Sequence, residues 1–332
     1  MNLQHRIYLL SRLGEYILSN NAEWQKAKEQ AGLENGWFIP EFVDLASKNI
    51  ALSFLQKDIL EEWSAAGQIP NTSPDTKTIG IVMAGNIPLV GFHDWLSVFI
   101  RGFRAKIKPS SKDQVLIKHL LEKLAGWDEQ AGNSSEISDM LKGCDAYIAT
   151  GSNNSSRYFD YYFARYPNII RRNRTSVAIL TGKETNDELE KLADDVYLYF
   201  GLGCRNVTKI YVPAEYDFMP LLAAFKKYQY LSDHHKYKNN YDYNLALHLL
   251  NKKYYMTNGA ILLVEEEALF SPISQLNYEY YRDMDKLTEK LKNHPELQSI
   301  TGKGHTPFGQ SQCPAITDYA DGINTLGFLN SL

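Results

Sequence analysis

Cys204 is the residue of this sequence with the strongest potential for covalent chemistry, in the segment Phe200-Gly201-Leu202-Gly203-Cys204-Arg205-Asn206. Two glycines expose the backbone on its N-terminal side, and a cation follows it. A nearby cation favours the thiolate, which is the nucleophilic form of the side chain. A free cysteine is also commonly a small buried apolar residue, so the segment by itself leaves both interpretations open. It is not a dinucleotide-binding fingerprint, because Asn206 replaces the last glycine and a helical pattern precedes it.

An asparagine follows a short β-rich run, in the segment Ala84-Gly85-Asn86-Ile87-Pro88. The carboxyl ends of parallel strands present ligands to the N-termini of the helices that follow. In such a position the amide of Asn86 can donate a hydrogen bond to a developing oxyanion. Asparagine is equally favoured as a helix N-cap, with Pro88 in the first turn. The two interpretations are compatible, since the backbone can cap a turn while the amide projects outward.

Two further strand ends carry residues that suit nucleotide binding. In Lys106-Ile107-Lys108-Pro109-Ser110-Ser111, a lysine at the carboxyl end of a strand can hold a ribose or a phosphate. A lysine at a strand edge also simply discourages edge pairing. The run Ala149-Thr150-Gly151-Ser152 ends in small residues that let the backbone approach a flat or anionic ligand, although ordinary loops share this composition.

The pair His234-His235 raises the question of a metal site. Adjacent residues on a helix or strand point apart, and no cysteine or carboxylate stands nearby at ligand spacing. We therefore predict a solvated surface pair and no metal site.

The order of predicted elements indicates an α/β protein. Residues 1–66 carry apolar residues at helical spacing and predict a helical lead-in, and residues 68–75 predict a loop. From Lys77 onward strands alternate with helices, which is typical of a parallel sheet. The predicted strands are Thr78–Ala84, Arg104–Lys108, Ala146–Thr150, Ser176–Leu180, Lys209–Val212, Ala260–Val264 and Gln275–Tyr280. The predicted helices are Pro88–Gly102, Asp113–Trp127, Ser155–Tyr166, one from the capping box Thr185-Asn186-Asp187-Glu188 to about Phe200, Asp217–Leu231, Tyr241–Lys252 and Asp283–Asn293.

Size and charge narrow the class of protein. A chain of 332 residues exceeds what one hydrophobic core usually fills, so we expect two domains, 1–172 and 173–332, with a cleft between them for chemistry. The 35 Lys and Arg against 39 Asp and Glu give a formal charge of -4 and no basic block that would follow nucleic acid. No apolar run is long enough to insert into a membrane, and three cysteines fit a reducing cytosol. We therefore expect a cytoplasmic protein.

Together these segments resemble the aldehyde dehydrogenase superfamily, and within it the acyl-CoA reductases related to the LuxC fatty-acyl reductase of bacterial luminescence. The likeness runs from about Thr78 to Val212, and Gly302-Lys303-Gly304 with Pro307-Phe308-Gly309 is similar to the C-terminal part of the reductases. It implies a Rossmann-type cofactor domain in residues 1–172 and an α/β catalytic domain in residues 173–332, with the active site in the cleft. The roles it implies are nucleophile for Cys204, oxyanion donor for Asn86, and cofactor binding for Lys108, Ser111, Gly151 and Ser152.

Departures from the family pattern bear on the expected activity. Aldehyde-oxidising members carry Glu-Leu-Gly-Gly where this chain has Arg171-Arg172-Asn173-Arg174, so the glutamate that activates water for hydrolysis is missing. A cysteine enzyme without that base is expected to exchange or reduce its acyl group. Glu267 precedes Phe270 by one residue more than in the family's Glu-x-Phe-Gly-Pro, which puts its contact with the nicotinamide ribose in doubt. The chain is also shorter than typical members, which puts their oligomerisation hairpin in doubt and leaves a homodimer as an option.

The resemblance predicts an acyl-thioester reductase. Cys204 would take the acyl group from an acyl-CoA or acyl-carrier thioester, and hydride from a nicotinamide cofactor would release an aldehyde. Ser111 stands where many NAD-preferring relatives have a glutamate, so NADPH (NADP) is the expected cofactor and NADH a second option. Two alternatives stay open: an acyl-phosphate reductase of similar fold, and a nucleotide-binding or partner-binding relative without turnover.

Overall fold

The structure, a computed structural model, describes residues 1–72 and 76–332, so the last three residues of the predicted loop 68–75 lie outside it. Over the described residues the chain divides into two compact units, residues 1–173 with 314–332, and residues 174–313. The sequence prediction assigned all of 173–332 to one domain, whereas the structure returns residues 314–332 to the first unit. Within the described ranges, no helix has the length and apolar character needed to cross a membrane.

Amphipathic helices open the first unit, as the sequence predicted. They are α1 (Leu3–Leu18), α2 (Ala22–Glu34), α3 (Pro40–Ser53) and α4 (Lys57–Ala66). In α1, the residues Leu10, Leu13 and Ile17 recur at helical spacing and are buried. The helix begins after Asn2, whose side chain accepts a hydrogen bond from His5 N–H at 2.8 Å. These apolar faces join the core around the sheet of this unit.

Strands and helices alternate through the rest of the first unit. The elements are β1 (Thr78–Val82), α5 (Phe92–Arg101), β2 (Arg104–Lys108), α6 (Val115–Trp127), α7 (Glu129–Gly132), β3 (Ser135–Ile137), β4 (Ala146–Thr150), α8 (Asn153–Phe163) and β5 (Asn168–Arg171). The strands form a parallel sheet in the order β3-β2-β1-β4-β5. This order belongs to doubly wound sheets, whose switch point here lies between β1 and β4. Ile81, Ile107 and Ile148 on the central strands are fully buried.

The second unit also alternates strands and helices. Its elements are β6 (Thr175–Ile179), α9 (Asn186–Tyr197), β7 (Val207–Pro213), α10 (Phe218–Ala224), α11 (His235–Leu250), β8 (Met256–Thr257), β9 (Leu262–Glu265), β10 (Gln275–Tyr281), α12 (Met284–Leu291) and β11 (Leu297–Gly302), with 3-10 segments at Leu198–Gly201 and Phe225–Asp233. The strand order is β11-β6-β7-β10-β9-β8, parallel except for the antiparallel pair β8 and β9. The predicted capping box is confirmed, since Thr185 and Glu188 cap the start of α9 reciprocally.

After residue 313 the chain rejoins the first unit, which the sequence did not predict. The helix α13 (Thr325–Asn330) follows the 3-10 segment Ala320–Gly322. Leu326 and Leu329 are buried in the core of the first unit, which removes their apolar surface from water. Trp63 Nε1 donates a hydrogen bond to Tyr319 Oη at 2.9 Å and ties this segment to α4.

The predicted elements differ from the observed ones mainly at their ends and at sheet edges. α5 begins at Phe92 rather than Pro88, and α9 ends at Tyr197 rather than near Phe200. The strands β3, β5, β8 and β11 were missed. Each is an end strand of its sheet and is fixed by pairing with one neighbour rather than by a long apolar pattern.

Candidate active site

The carboxyl ends of β2, β1 and β4 lie side by side at one edge of the first sheet. Val82 is in register with Lys108 on one side and with Ala149 on the other. The ladder extends one residue further, because Met83 N–H donates to the carbonyl of Lys108 at 3.0 Å. The structure thus brings to one sheet edge all the predicted site residues of this unit, namely Asn86, Lys108, Ser111, Gly151 and Ser152.

Asn86 is exposed and lies in the irregular segment between β1 and α5. The N-cap interpretation is wrong, because α5 begins at Phe92 and its N-cap is Gly91. Before the helix the chain turns at Leu89, a buried residue with a left-handed backbone (φ 56°). Leu89 N–H donates to Asp113 Oδ2 at 2.6 Å. The helix therefore starts late because this turn is tied to a remote carboxylate rather than capped locally.

The turn after β2 packs directly on the same segment. A Cβ added to Gly85 would lie 2.6 Å from the Cβ of Ser110, so the close approach of the two segments requires glycine. Asp113 N–H donates to the carbonyl of Ser110 at 3.0 Å and closes the turn. The side chains of Lys108 and Ser111 are exposed at its surface. This turn can therefore offer a cation and a hydroxyl to a ligand.

Asp113 is buried beneath the turn. Burial raises the pKa of its carboxyl from 3.8 to about 7, because the charged form loses its hydration. The hydrogen bond from Leu89 N–H acts in the opposite direction, since it stabilises the carboxylate. Within the described part of the chain, Asp113 Oδ1 has no hydrogen-bond partner. Burial therefore favours the neutral form of this carboxyl relative to an exposed aspartate.

Gly151 and Ser152 connect β4 to α8. Ser152 is the N-cap of α8, and its Oγ accepts a hydrogen bond from Ser155 N–H at 3.3 Å. A Cβ added to Gly151 would lie 2.9 Å from the ring of Phe159, so glycine lets the backbone pass close to the helix. The backbone N–H groups of a helix N-terminus attract anions such as phosphate.

A structural ion pair occupies the segment that replaces the family's glutamate motif. Arg171 Nη1 donates to both carboxylate oxygens of Asp94 at 2.5 Å, and Arg171 Nη2 donates to Thr325 Oγ1 at 2.8 Å. All three side chains are buried. They connect β5, α5 and α13, so this position contributes packing and holds the C-terminal helix rather than supplying a base.

Cys204 lies in the second unit, in the loop from α9 to β7, and is half-buried. This Cys204 loop, residues 198–206, begins where α9 ends. Tyr199, Phe200 and Gly201 have left-handed backbone angles (φ 55°, 57° and 74°). Such a conformation costs roughly 1 to 2 kcal/mol for each residue other than glycine. The loop therefore depends on contacts that hold it.

Asn206 supplies the central contacts of the Cys204 loop. Its fully buried amide accepts a hydrogen bond from Gly203 N–H at 2.8 Å. It donates to the carbonyls of Leu198 at 2.8 Å and Asp195 at 3.1 Å. Asn206 N–H also donates to the carbonyl of Gly203 at 3.1 Å, which closes a turn around Cys204. The loop is thus held from both ends by one residue.

Hydroxyl side chains at the amino ends of β6 and β7 support the same loop. Ser176 Oγ donates to the carbonyl of Cys204 at 3.1 Å. Thr175 Oγ1 and Thr208 Oγ1 lie 2.5 Å apart, and Thr208 Oγ1 donates to the carbonyl of Leu269 at 2.7 Å. The segment after β9 is therefore anchored on the same strand as the Cys204 loop.

The segment after β9 carries Glu267 and is held by its main chain. Lys209 Nζ, fully buried, donates to the carbonyl of Glu267 at 2.7 Å and pairs with Glu279 Oε2 at 2.5 Å. Asn277 Nδ2 donates to the carbonyl of Ala268 at 2.9 Å. These contacts fix the backbone of the segment, and none of them involves the side-chain carboxylate of Glu267.

Asp195 on α9 joins the Cys204 loop to the C-terminal part of the unit. Its carboxylate accepts hydrogen bonds from Gly309 N–H at 2.8 Å, Ser311 N–H at 3.0 Å and Ser311 Oγ at 2.6 Å. Burial raises the pKa of Asp195 from 3.8 to about 6, while these donors act in the opposite direction. The same residue presents its main-chain carbonyl to Asn206.

His234 is not the solvated residue that the sequence predicted. Its ring centroid lies 4.7 Å from that of Phe200 and 5.1 Å from that of His235, which is exposed. His234 therefore packs against the Cys204 loop at the start of α11. Over residues 1–72 and 76–332, no group of at least three His, Cys, Asp or Glu side chains is placed to hold a metal ion.

A family model described as acyl-CoA reductase (LuxC) matches residues 47–224, more than half of the chain. The chain belongs to this family. This range contains Asn86, Lys108, Ser111, Gly151 and Cys204, and the match confirms the resemblance to the family. Family membership makes the protein an oxidoreductase of the acyl reductase type and implies an acyl substrate.

Solved structures of two aldehyde dehydrogenases and of one NADP-dependent enzyme share the fold. Aldehyde dehydrogenase 21 from Physcomitrella patens, solved with the reaction product succinate, has 14% identity and a TM-score of 0.64, covering 91% of this chain and 74% of its own. An NAD-dependent aldehyde dehydrogenase from Sinorhizobium meliloti has 14% identity and a TM-score of 0.65, covering 91% and 70%. An NADP-dependent enzyme of E. coli has 13% identity and a TM-score of 0.64, covering 91% and 73%. None of the curated proteins matches the sequence.

Sequence reasoning missed the buried polar residues that organise the loops of this member of the acyl-CoA reductase (LuxC) family. Asp113 had no signal, because its burial depends on Leu89 from another segment. Asp195 did have a sequence signal for burial, since it lies three residues after the buried Leu192 on the packed face of α9. Asn206 was noted only as a break in a glycine pattern, although it determines the geometry around Cys204.

Proposed function

We propose that this protein reduces an acyl thioester to an aldehyde through a covalent thioester on Cys204. The observation that carries the proposal is the Cys204 loop itself, in which a half-buried thiol follows left-handed backbone at residues 199–201 and buried hydrogen bonds anchor the chain. Strained backbone that persists under such restraint is concentrated at functional sites. The acyl-CoA reductase family supplies the class of substrate.

The first half-reaction transfers the acyl group to the protein. Cys204 Sγ attacks the acyl carbon, the bond from that carbon to the sulfur of CoA or of a carrier breaks, and the departing thiolate takes up the proton that Cys204 lost. Cys204 N–H and the amide of Asn86 are the proposed donors to the oxyanion. Loss of one such donor typically costs about 2.7 to 4 kcal/mol of barrier.

The second half-reaction reduces the enzyme thioester. A bound reduced nicotinamide dinucleotide supplies the hydride, which carries both electrons. The acyl carbon receives it, the carbonyl oxygen takes one proton, and the thiohemiacetal on Cys204 breaks its carbon–sulfur bond to release the aldehyde and restore the thiol. Reduction is favoured over hydrolysis because the segment that replaces the family's glutamate carries Arg171 in a buried ion pair.

The carboxyl edge of the first sheet fits a nicotinamide dinucleotide. The strand order places the switch point between β1 and β4, where such ligands bind in doubly wound sheets. The α8 N-terminus, capped by Ser152, suits the pyrophosphate, and Gly151 keeps the backbone open beside it. Lys108 and Ser111 are proposed to hold the adenosine ribose. Ser111 carries no charge to repel a 2′-phosphate, so we propose NADPH as the preferred cofactor over NADH.

The test is intact mass spectrometry of the protein after incubation with acyl-CoAs of several chain lengths and no cofactor. We expect an added acyl mass that disappears in Cys204→Ala and persists in Cys313→Ala, since Cys313 is an exposed cysteine of the same unit. Addition of NADPH should then remove the acyl mass and release aldehyde.

Acetyl phosphate, used as the acyl donor in place of acyl-CoA, tests the alternative of an acyl-phosphate reductase. Acylation by acetyl phosphate without acylation by acyl-CoA would favour an acyl-phosphate reductase. If neither donor leaves an adduct on Cys204, the covalent mechanism is wrong.

A further inference from the structure

The peptide units on both sides of Cys204 are held by hydrogen bonds. The carbonyl of Gly203 accepts a hydrogen bond from Asn206 N–H at 3.1 Å, and the carbonyl of Cys204 accepts one from Ser176 Oγ at 3.1 Å. In a trans peptide the C=O and N–H groups point in opposite directions. Because the carbonyl of Gly203 points at Asn206, the N–H of Cys204 points away from the turn.

The side chain of Asn206 determines where this turn sits. Its Oδ1 accepts from Gly203 N–H at 2.8 Å, and its Nδ2 donates to the carbonyls of Leu198 at 2.8 Å, Asp195 at 3.1 Å and Val196 at 3.4 Å. One amide thus connects the end of α9 to the residue before Cys204. The left-handed residues 199–201 lie between these contacts.

Other buried asparagines of the second unit hold the backbone in a similar way. Asn244 is buried, and its Nδ2 donates to the carbonyl of Ile273 at 2.9 Å. Among the described residues, its side chain forms no hydrogen bond with the Cys204 loop. Asn244 therefore provides a matched buried amide whose role is structural.

We propose that Asn206 is a positioning residue for Cys204, which holds the Cys204 N–H in the direction where an oxyanion develops. This inference rests on the proposed function for its catalytic meaning. Preorganised donors act without reorganisation during the reaction. If the Cys204 N–H pointed in another direction, the step that forms the oxyanion would therefore be slower. Alkylation of the thiol forms no oxyanion and does not need the N–H. Comparing the acylation and the alkylation of Cys204 Sγ therefore distinguishes a loss of N–H positioning from a general loss of folded structure.

The test compares Asn206→Asp with Asn244→Asp, both in a Cys313→Ser background. Aspartate is nearly isosteric and keeps an acceptor for Gly203 N–H, but it cannot donate to the carbonyls of α9. Two rates are measured on Cys204 by mass spectrometry: acylation by an acyl-CoA and alkylation by iodoacetamide. We expect Asn206→Asp to slow acylation by about 10- to 100-fold and to change alkylation by less than about threefold. Asn244→Asp should leave both rates near those of the parent.

Equal acylation rates in Asn206→Asp and its parent would overturn the inference while leaving Cys204 as the nucleophile. A parent that forms no adduct would instead overturn the proposed function. Hydrogen exchange of the parent protein tests the inference even if the parent forms no adduct or Asn206→Asp does not fold. This measurement requires neither the adduct nor the variant. We expect the Gly203 amide to exchange at least about 100-fold more slowly than in an unstructured chain, and exchange at the unstructured rate would also overturn the inference.

Discussion

The Cys204 loop of the second unit and the turn after β2 of the first unit are built in opposite ways. In the Cys204 loop, a buried amide and a hydroxyl form hydrogen bonds with backbone groups on both sides of Cys204. In the turn after β2, the side chains of Lys108 and Ser111 are exposed, and the anchoring comes from behind through Gly85 and Asp113. Covalent chemistry needs one fixed geometry, whereas a binding turn needs accessible donors on a firm base.

Each of the two regions also contains a buried aspartate, and the two aspartates differ in the number of hydrogen-bond donors that hold them. Asp195 has three hydrogen-bond donors and a pKa of about 6. Asp113 has one hydrogen-bond donor, Leu89 N–H, and a pKa of about 7. Burial raises both pKa values, and the hydrogen bonds to each carboxylate act in the opposite direction. Three donors thus hold the carboxyl of Asp195, whereas a single donor holds that of Asp113.

The largest effect should come from Cys204→Ala. We expect the rate of acyl-CoA reduction to fall by more than about 1,000-fold, because the covalent intermediate cannot form. Binding of NADPH, followed by fluorescence titration, should stay nearly unchanged, since the cofactor is assigned to the first unit. Reduction at a rate close to that of the parent would contradict the covalent role.

Asp195→Asn should destabilise the protein by about 1 to 3 kcal/mol. The new NH₂ group would face a backbone or hydroxyl donor of Gly309 or Ser311 and leave buried donors without an acceptor. Urea unfolding at pH 8 measures the change. An Asp195→Asn protein as stable as its parent would break the contrast between the two aspartates.

Asp113→Asn should change the pH dependence of stability more than its level. The folded-state pKa of Asp113 is raised above 3.8, so its folded state binds the proton more tightly than the unfolded chain. Its contribution to stability is greatest below about pH 4 and is lost as pH rises toward about 7. Asparagine does not titrate, so between pH 5 and pH 8 the variant should lose less stability than its parent, by on the order of 2 kcal/mol.

Urea unfolding at the two pH values measures this difference, with Asp195→Asn treated in the same way. If the parent and Asp113→Asn lose equal stability between pH 5 and pH 8, Asp113 is not the titrating group.

The smallest effect is expected at the exposed turn. Ser111→Glu should raise the KM for NADPH by roughly tenfold, about 1.4 kcal/mol, because the carboxylate repels the 2′-phosphate. The KM for NADH should change less. Steady-state kinetics with both cofactors measures the preference, and a wild-type protein that favours NADH would contradict the assignment.

The sequence by itself determined the elements whose signals are local. The strands Arg104–Lys108 and Ala146–Thr150 and the capping box at Thr185 were predicted at their observed positions, since apolar runs and cap residues act within a few neighbours. The family and the candidate nucleophile followed from motif order. The domain roles and the roles of the site residues remain predictions, which the experiments above address.

Only the tertiary structure decided how those local signals were used. Asn86 had the sequence of an N-cap, but Leu89 bonds to Asp113 and moves the start of α5 to Phe92. Arg171 gave no sign of its partner Asp94, which lies far away in the chain. Asn206 stands beside Cys204, yet its acceptors come from the end of α9. Burial and long-range hydrogen bonds set these outcomes, because a buried polar group must find its partners wherever the fold brings them.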